Sequence, residues 1–242
     1  MSQRFFSTDP LDQDQVRLRD QEAHHLLHVM RCSVGDEVTV FDGSGVECLC
    51  RIEELGRSEV VLAVLSREEV DRELPIRITL AVTLPKGDRQ KWLVEKAVEL
   101  GVARLIPLTT ERSVAQPVSK ALDRLRRSVI EAAKQCGRNR LLEISSPVKC
   151  EQLLADVEES TIALIAHPRL GERAMSVREI ATQLKAGSEV VVALGPEGGF
   201  SDEEVAAACE AGWKPLDLGT RILRIETAAL AIAAQLAAAS ET

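Results

Sequence analysis

The sequence predicts an α/β fold with a mostly parallel sheet, led by a smaller β-rich domain, and three observations carry that expectation. After residue 75, apolar β-branched runs alternate with helical patterns, as in strands joined by helical crossovers. Before residue 66, short strand patterns separated by turns follow one probable helix. Between these regions, SREEVDRELP (66–75) is charged, poor in apolar residues and ends in Pro75, the composition of a linker. A chain of 242 residues has room for two domains, expected at 1–72 and 73–242, and for a sizeable core.

Taken in order, a helix is expected from about Asp20 to Arg31, with Asp20 as its N-cap. DEVTVFDGSGVECLCRIEELGRSEVVLAVLS then reads as strands with turns at Asp42–Gly45 and near Gly56. In the second domain IRITLAVTL is a strand, followed by a helix over 88–100 that Gly101 stops. ARLIPL, TIALIAH and EVVVAL are further strands, with helices over 119–136 and near 176–186 between them.

The densest signal lies near the C-terminus. EVVVAL (189–194) has the continuous apolar pattern of a strand buried on both faces. It runs into Gly195, Pro196, Glu197, Gly198 and Gly199, where the glycines allow positive φ or close ligand approach. Ser201 and Glu204 form a capping box that opens the next helix. Strand, glycine loop and helix start make a common site for anions and nucleotides, although the spacing is neither G-x-G-x-x-G nor a P-loop. A second bend, Leu218-Gly219, is followed by Arg221 and Arg224 flanking a buried-looking Ile222-Leu223, and Glu226-Thr227 opens an alanine-rich helix. The arginines could equally salt-bridge Glu226 or Asp217. The alanines suit helix propensity alone or the close approach of another helix, and the run is too short to span a bilayer.

Composition sets bounds. Of the net charge of −8, all resides in residues 1–74, with 8 Lys+Arg against 16 Asp+Glu, while 75–242 balance at 22 each. Within them, 112–140 holds eight basic residues against Asp123 and Glu131, enough to neutralise phosphates locally or simply to form a solvated helix face. With four Phe, two Trp and no Tyr, an aromatic platform for single-stranded RNA is not expected. Six cysteines without C-x-x-C spacing read as reduced, cytoplasmic and mostly buried, and no secretory signal is expected. His24, His28 and Cys32 at i, i+4, i+8 could place two imidazoles on one metal, but without a zincin glutamate no metal is expected. His167, between a strand and Pro168, has a site-edge position that fits a structural role as well.

GPEGGFSDEE and LGTRILRIETA resemble the two cofactor-loop motifs of SPOUT methyltransferases, specifically the RsmE family of small-subunit ribosomal RNA uridine-N3 methyltransferases. HLLHVMR with VGDEVTVFDGSG resembles that family's N-terminal domain, LPKGDRQKWLVEKAVELGVARLIPLTTERS the start of its catalytic domain, and EAAKQCGRNRLLEI a later segment. The likeness covers nearly the whole chain, with Lys134 a departure where an acidic residue is common. It implies a PUA-like RNA-binding domain followed by a SPOUT domain with a C-terminal trefoil knot, a rare exception to unthreaded connections. It further implies S-adenosylmethionine as cofactor, 16S rRNA or the assembled small subunit as partner, and a homodimer. Leu194, Gly195, Pro196, Glu197, Gly198 and Gly199 would hold the cofactor with Leu218, Gly219, Ile222 and Leu223.

Uracil N3 must lose a proton before it can take a methyl group, so such an enzyme positions the base, aids deprotonation and stabilises charge on the uracil oxygens. Glu197 and Glu226 are candidates for proton handling, and Arg112, Arg138, Arg221 and Arg224 for charge stabilisation. Arg31, Arg124, Arg127 and Arg140 are candidate RNA contacts. A SPOUT ribose 2′-O-methyltransferase, a non-catalytic RNA-binding protein of the same fold, and an α/β nucleotide-binding oxidoreductase are the alternative readings.

Overall fold

The computed structural model describes residues 3–113, 119–167 and 174–241. The chain forms two compact units: residues 1–73 with 130–141, and residues 74–129 with 142–242.

Unit 1 is built on a five-stranded sheet of β1 (Arg4–Phe6), β2 (Gln15–Arg19), β3 (Glu37–Phe41), β4 (Val46–Leu55) and β5 (Glu59–Glu69), in the order β1-β3-β4-β5-β2. β1 and β3 are parallel and the other pairs antiparallel. Alternation in the strands sends Val38, Val40, Cys48, Cys50, Ile52, Val60 and Leu62 into one core. The expected linker is partly strand: β5 runs to Glu69, and Ser66–Glu69 pair with Val46–Leu49 although their side chains are largely exposed. Backbone pairing outweighs composition there. The first helix, α1 (Asp20–His24), continues as a π-helical turn over His25–Met30. Asp20 is not its N-cap but its first residue, with φ 51° and no side-chain cap at the preceding Arg19.

The last turns of the long helix α3 (Ser119–Cys136) and the segment after it belong to unit 1. Charged side chains hold them there. Arg4 donates to Glu47 at 2.7 Å and to Asn139 Oδ1 at 2.6 Å, while Arg72 donates to the Gly137 carbonyl at 2.9 Å. Burial would raise the Glu47 pKa, but hydrogen bonds from Arg72, Arg4 and Asn139 prevail and hold it at about 2. Lys134 is buried against Glu22 at 2.9 Å and Glu131 at 3.3 Å.

Unit 2 carries a parallel sheet in the order β11-β13-β10-β12-β6-β7-β8, with β9 also paired to β7. Its strands are β6 (Arg77–Val82), β7 (Arg104–Thr109), β8 (Glu143–Ile144), β9 (Val148–Lys149), β10 (Ile162–Ala166), β11 (Met175–Ser176), β12 (Glu189–Leu194) and β13 (Lys214–Asp217). Beside α3, its helices are α2 (Asp88–Glu99), α4 (Cys150–Ala155), α5 (Val177–Ala181), α6 (Asp202–Glu210) and α7 (Ile225–Ser240). The apolar runs read as buried strands are so: Ile78, Leu80, Val192 and Ala193 are inaccessible to solvent. α2 ends before Gly101, whose φ of +78° breaks the helix. The helix expected near 176–186 is shorter, ending at Ala181, with turns following before Gly187 at φ +83°.

Candidate active site

β10, β12 and β13 end level with one another: Ala166 pairs with Leu194 on one side and Leu216 on the other. Ligands of open parallel sheets collect at this carboxyl edge, where the loops leave the strands. Both glycine bends leave from it, and they line one cavity of about 480 Å³. A larger groove, about 790 Å³, lies between α4 and α6 with Thr110 and Glu111 at its side. It contains no glycine of either bend, so the smaller cavity, at the strand ends, is the better candidate.

The first bend is built from backbone and is firmly held. Gly199 N donates to the Pro196 carbonyl at 2.8 Å, closing a turn in which Gly199 has φ +70°. A Cβ on Gly195 would stand 3.1 Å from the ring of Phe200, which is fully buried. Arg112 donates to the Gly198 carbonyl at 3.0 Å and the Phe200 carbonyl at 3.1 Å, so this candidate charge stabiliser also fixes the loop. The capping box forms as expected: Glu204 N donates to Ser201 Oγ at 3.2 Å and Ser201 N to Glu204 Oε2 at 2.9 Å. Glu204 also accepts from Glu111 N at 2.9 Å, tying α6 to the end of β7.

The second bend differs. Gly219, at φ +95°, donates its N–H to Asp217 Oδ1 at 2.9 Å. Ile222, read from the sequence as buried, is 89% exposed. An apolar dipeptide between arginines suggested a core contact, but the loop turns outward at Gly219 and carries Ile222 with it. Arg221 and Arg224 are exposed, and neither forms an ion pair with Glu226 or Asp217. Arg221 lines the cavity, whereas Arg224 is the N-cap of α7.

Glu226, in the first turn of α7, is only 5% exposed. Its Oε1 lies 3.4 Å from Arg89 Nη1, and its Oε2 has no hydrogen-bond partner among the described residues. Arg89 Nη2 lies 3.8 Å from the exposed Glu197 of the first bend. One guanidinium therefore touches both candidate proton handlers. The sequence reading did not single out Arg89; a separation of 137 residues from Glu226 gives no local signal for the contact.

The remaining candidates are distributed between the units. Arg138 is buried in unit 1 and makes a bidentate pair with Glu73, one arm at 2.9 Å. Arg31 and Arg140 also belong to unit 1, Arg124 and Arg127 to unit 2, and all four are exposed. Among the described residues no three His, Cys, Asp or Glu converge as a metal set, and no helix is long and apolar enough to cross a membrane.

The cavity mixes apolar walls with charged and backbone polar groups, as a small polar ligand needs. Leu194, Leu218 and Leu223 supply apolar walls, glycine backbone leaves room for a close approach, and Glu197 and Asp202 place carboxylates for a cation. A family model for RNA methyltransferase domains matches residues 72–237, and one for RNA methyltransferase PUA domains matches residues 18–65. The chain is 33% identical to ribosomal RNA small subunit methyltransferase E of Bacillus subtilis, over 87% of this chain and 84% of that protein. The Synechocystis protein of the same name is 34% identical, over 94% and 74%. The chain belongs to the ribosomal RNA small subunit methyltransferase E family. A Neisseria gonorrhoeae member solved with S-adenosylmethionine superposes with a TM-score of 0.87 at 32% identity, covering 97% of this chain and 96% of that one. A Legionella pneumophila protein solved in complex with the cofactor SAM gives 0.88 at 33% identity, covering 98% of each chain. The family membership makes this chain an S-adenosylmethionine-dependent RNA methyltransferase. The glycine-lined cavity fits that cofactor.

Proposed function

We propose that this protein methylates N3 of one uridine in 16S rRNA of the small ribosomal subunit. The observation that carries the reading is the convergence of two glycine bends on one cavity at the carboxyl edge of β10, β12 and β13. Backbone of Leu194–Gly199 and of Leu218–Leu223 would hold the adenosine and methionine parts. The bound cofactor supplies an electrophilic methyl on a sulfonium, and the protein's residues do the rest.

Uracil N3 carries a proton that must leave before its lone pair can attack. Glu226 is buried with one oxygen unpartnered, and Glu197 stands at the cavity, so these carboxylates are the candidates to accept that proton. Removal of the proton spreads negative charge over the uracil oxygens, and Arg112 and Arg221, which line the cavity, would stabilise it. Arg224 is a further candidate from the N-cap of α7, and Arg138 the remaining one. The exposed Arg31, Arg124, Arg127 and Arg140 would contact rRNA.

The reading includes a domain division at 1–72 and 73–242, with residues 130–141 returning to the first compact unit, a trefoil knot in the second domain, a cytoplasmic homodimer, and a contribution of the alanine-rich α7 to its interface. Incubation with labelled S-adenosylmethionine and unmodified small subunits, beside naked 16S rRNA, tests the chemistry. N3-methyluridine at one site is expected in the digest; a ribose methyl would overturn the N3 assignment, and no transfer to either RNA would overturn the substrate. Sedimentation at micromolar concentration tests the dimer, which a monomer would exclude.

A further inference from the structure

The helical segment 20–31 of unit 1 is irregular at both ends and in its middle. Asp20 has φ 51° and Arg31 φ 52°, both in the left-handed region that costs a non-glycine residue of order 1–2 kcal/mol. Between them Arg31 N donates to the Leu26 carbonyl, closing the π-helical turn. Such turns and strained residues concentrate at functional sites, where the surrounding structure holds them in place. Here Leu26 is fully buried below the turn while His24, His28, Val29 and Arg31 face solvent. The His24 and His28 rings lie side by side, 4.7 Å between centroids at 52°. Val29 beside them is 62% exposed.

Charge sets this surface apart from the rest of its unit. Residues 23–35 contain no Asp or Glu, within a stretch, 1–74, that holds 16. The nearest carboxylate before it, Glu22, is taken up: Lys134 Nζ stands 2.9 and 3.2 Å from its two oxygens, and Phe6 N donates to it at 3.1 Å. The carboxylate after it, Asp36, accepts from Ser33 N at 2.7 Å, so a phosphate approaching here meets Arg31 with no carboxylate from residues 23–35. Rings are also informative. Phe5 and Phe41 are fully buried, the half-buried Phe6 packs edge-on against Phe41, and the chain has no tyrosine, so the exposed imidazoles of His24 and His28 are the rings this surface offers to a base.

We propose that His24, His28, Val29 and Arg31 form a platform for single-stranded RNA, on which an unpaired base stacks against the imidazole pair and Arg31 contacts a neighbouring phosphate. A single strand is specified because stacking on side chains needs a base face that a duplex conceals. The platform rests on the rRNA reading above and adds a recognition site remote in sequence from the cofactor bends. It uses imidazoles in place of the phenol rings that this chain lacks.

The test is fluorescence anisotropy with a short labelled single-stranded oligoribonucleotide, on the full chain. His24→Ala/His28→Ala is expected to weaken binding about tenfold or more, the scale of one lost base stack. His24→Phe/His28→Phe restores it, because a phenyl ring keeps the stacking face and carries no imidazole hydrogen bonds. Arg31→Asn, which tolerates the left-handed backbone, should reduce the slope of log affinity against log salt by about 0.7. Affinity for S-adenosylmethionine stays at the wild-type value in all three. Wild-type binding by the double alanine variant, or binding by the phenylalanine pair as weak as by the alanine pair, overturns the platform. Methyl transfer to 16S rRNA by the unaltered chain is measured alongside: its absence overturns the rRNA reading, while the anisotropy still decides the platform.

Discussion

The first glycine bend is tied down by Arg112, by its own Gly199–Pro196 turn and by the Ser201–Glu204 box, whereas the second rests on Asp217 at its entry and carries Ile222 into solvent. Both line one cavity. The difference separates two tasks. A wall fixed before the ligand arrives costs little ordering on binding, and a loop with few ties can close over a ligand afterwards. The first bend is thus the preorganised half of the site and the second the adaptable half.

The contrast can be broken most severely at Arg89, which ties Glu197 of the first bend to Glu226 of α7, the helix that follows the second. Arg89→Ala should lower stability by roughly 2 kcal/mol, less than the 3–5 of a fully buried pair because the guanidinium is 38% exposed. Denaturant titration checks this, and Glu226→Gln in the same background should recover part of the loss. Arg112→Ala should weaken S-adenosylmethionine binding about tenfold, since a charge-assisted hydrogen bond is worth roughly 1.5–3 kcal/mol and part is replaced by water; calorimetric titration gives the value. Glu204→Ala removes the capping box and the tie to Glu111, and should cost about 1 kcal/mol, seen as a melting temperature lower by roughly 2–4 °C. Hydrogen exchange sharpens the comparison without mutation: adding the cofactor should protect amides of 218–223 more than those of 195–200. Ile222→Ser should leave the unliganded stability within about 0.5 kcal/mol, as for an exposed position, and an equal fall in melting temperature to that of Glu204→Ala would show the second bend to be fixed as well.

The same contrast explains what could be read from the sequence. Local chemistry was legible: the Ser201–Glu204 cap, the helix stop at Gly101 and the buried run of β12 all follow from neighbours within a few residues. The second bend was not, because whether Ile222 points inward depends on where the chain turns, and Gly219 alone does not say. Arg89 escaped for a different reason: its partners come from distant segments, and ion pairs leave no periodicity. The charged stretch 66–75 misled in the opposite sense, since β5 keeps pairing through exposed residues that composition assigns to a linker. α4, with six residues, is too short to register a helical period.

The division of α3 between the units makes unit 1 discontinuous in sequence. A gene fragment ending at residue 73 would encode Arg4 without Asn139, Glu73 without Arg138 and Glu22 without Lys134. Glu22 and Glu73 are then part-buried charges left without their cations, a state costlier than an exposed one, while Arg4 keeps Glu47 but loses its second acceptor. The small unit is therefore no portable module: to graft it onto another enzyme, the recipient must also receive the twelve-residue segment 130–141, a helix end and the turn after it, which is made much later in the chain.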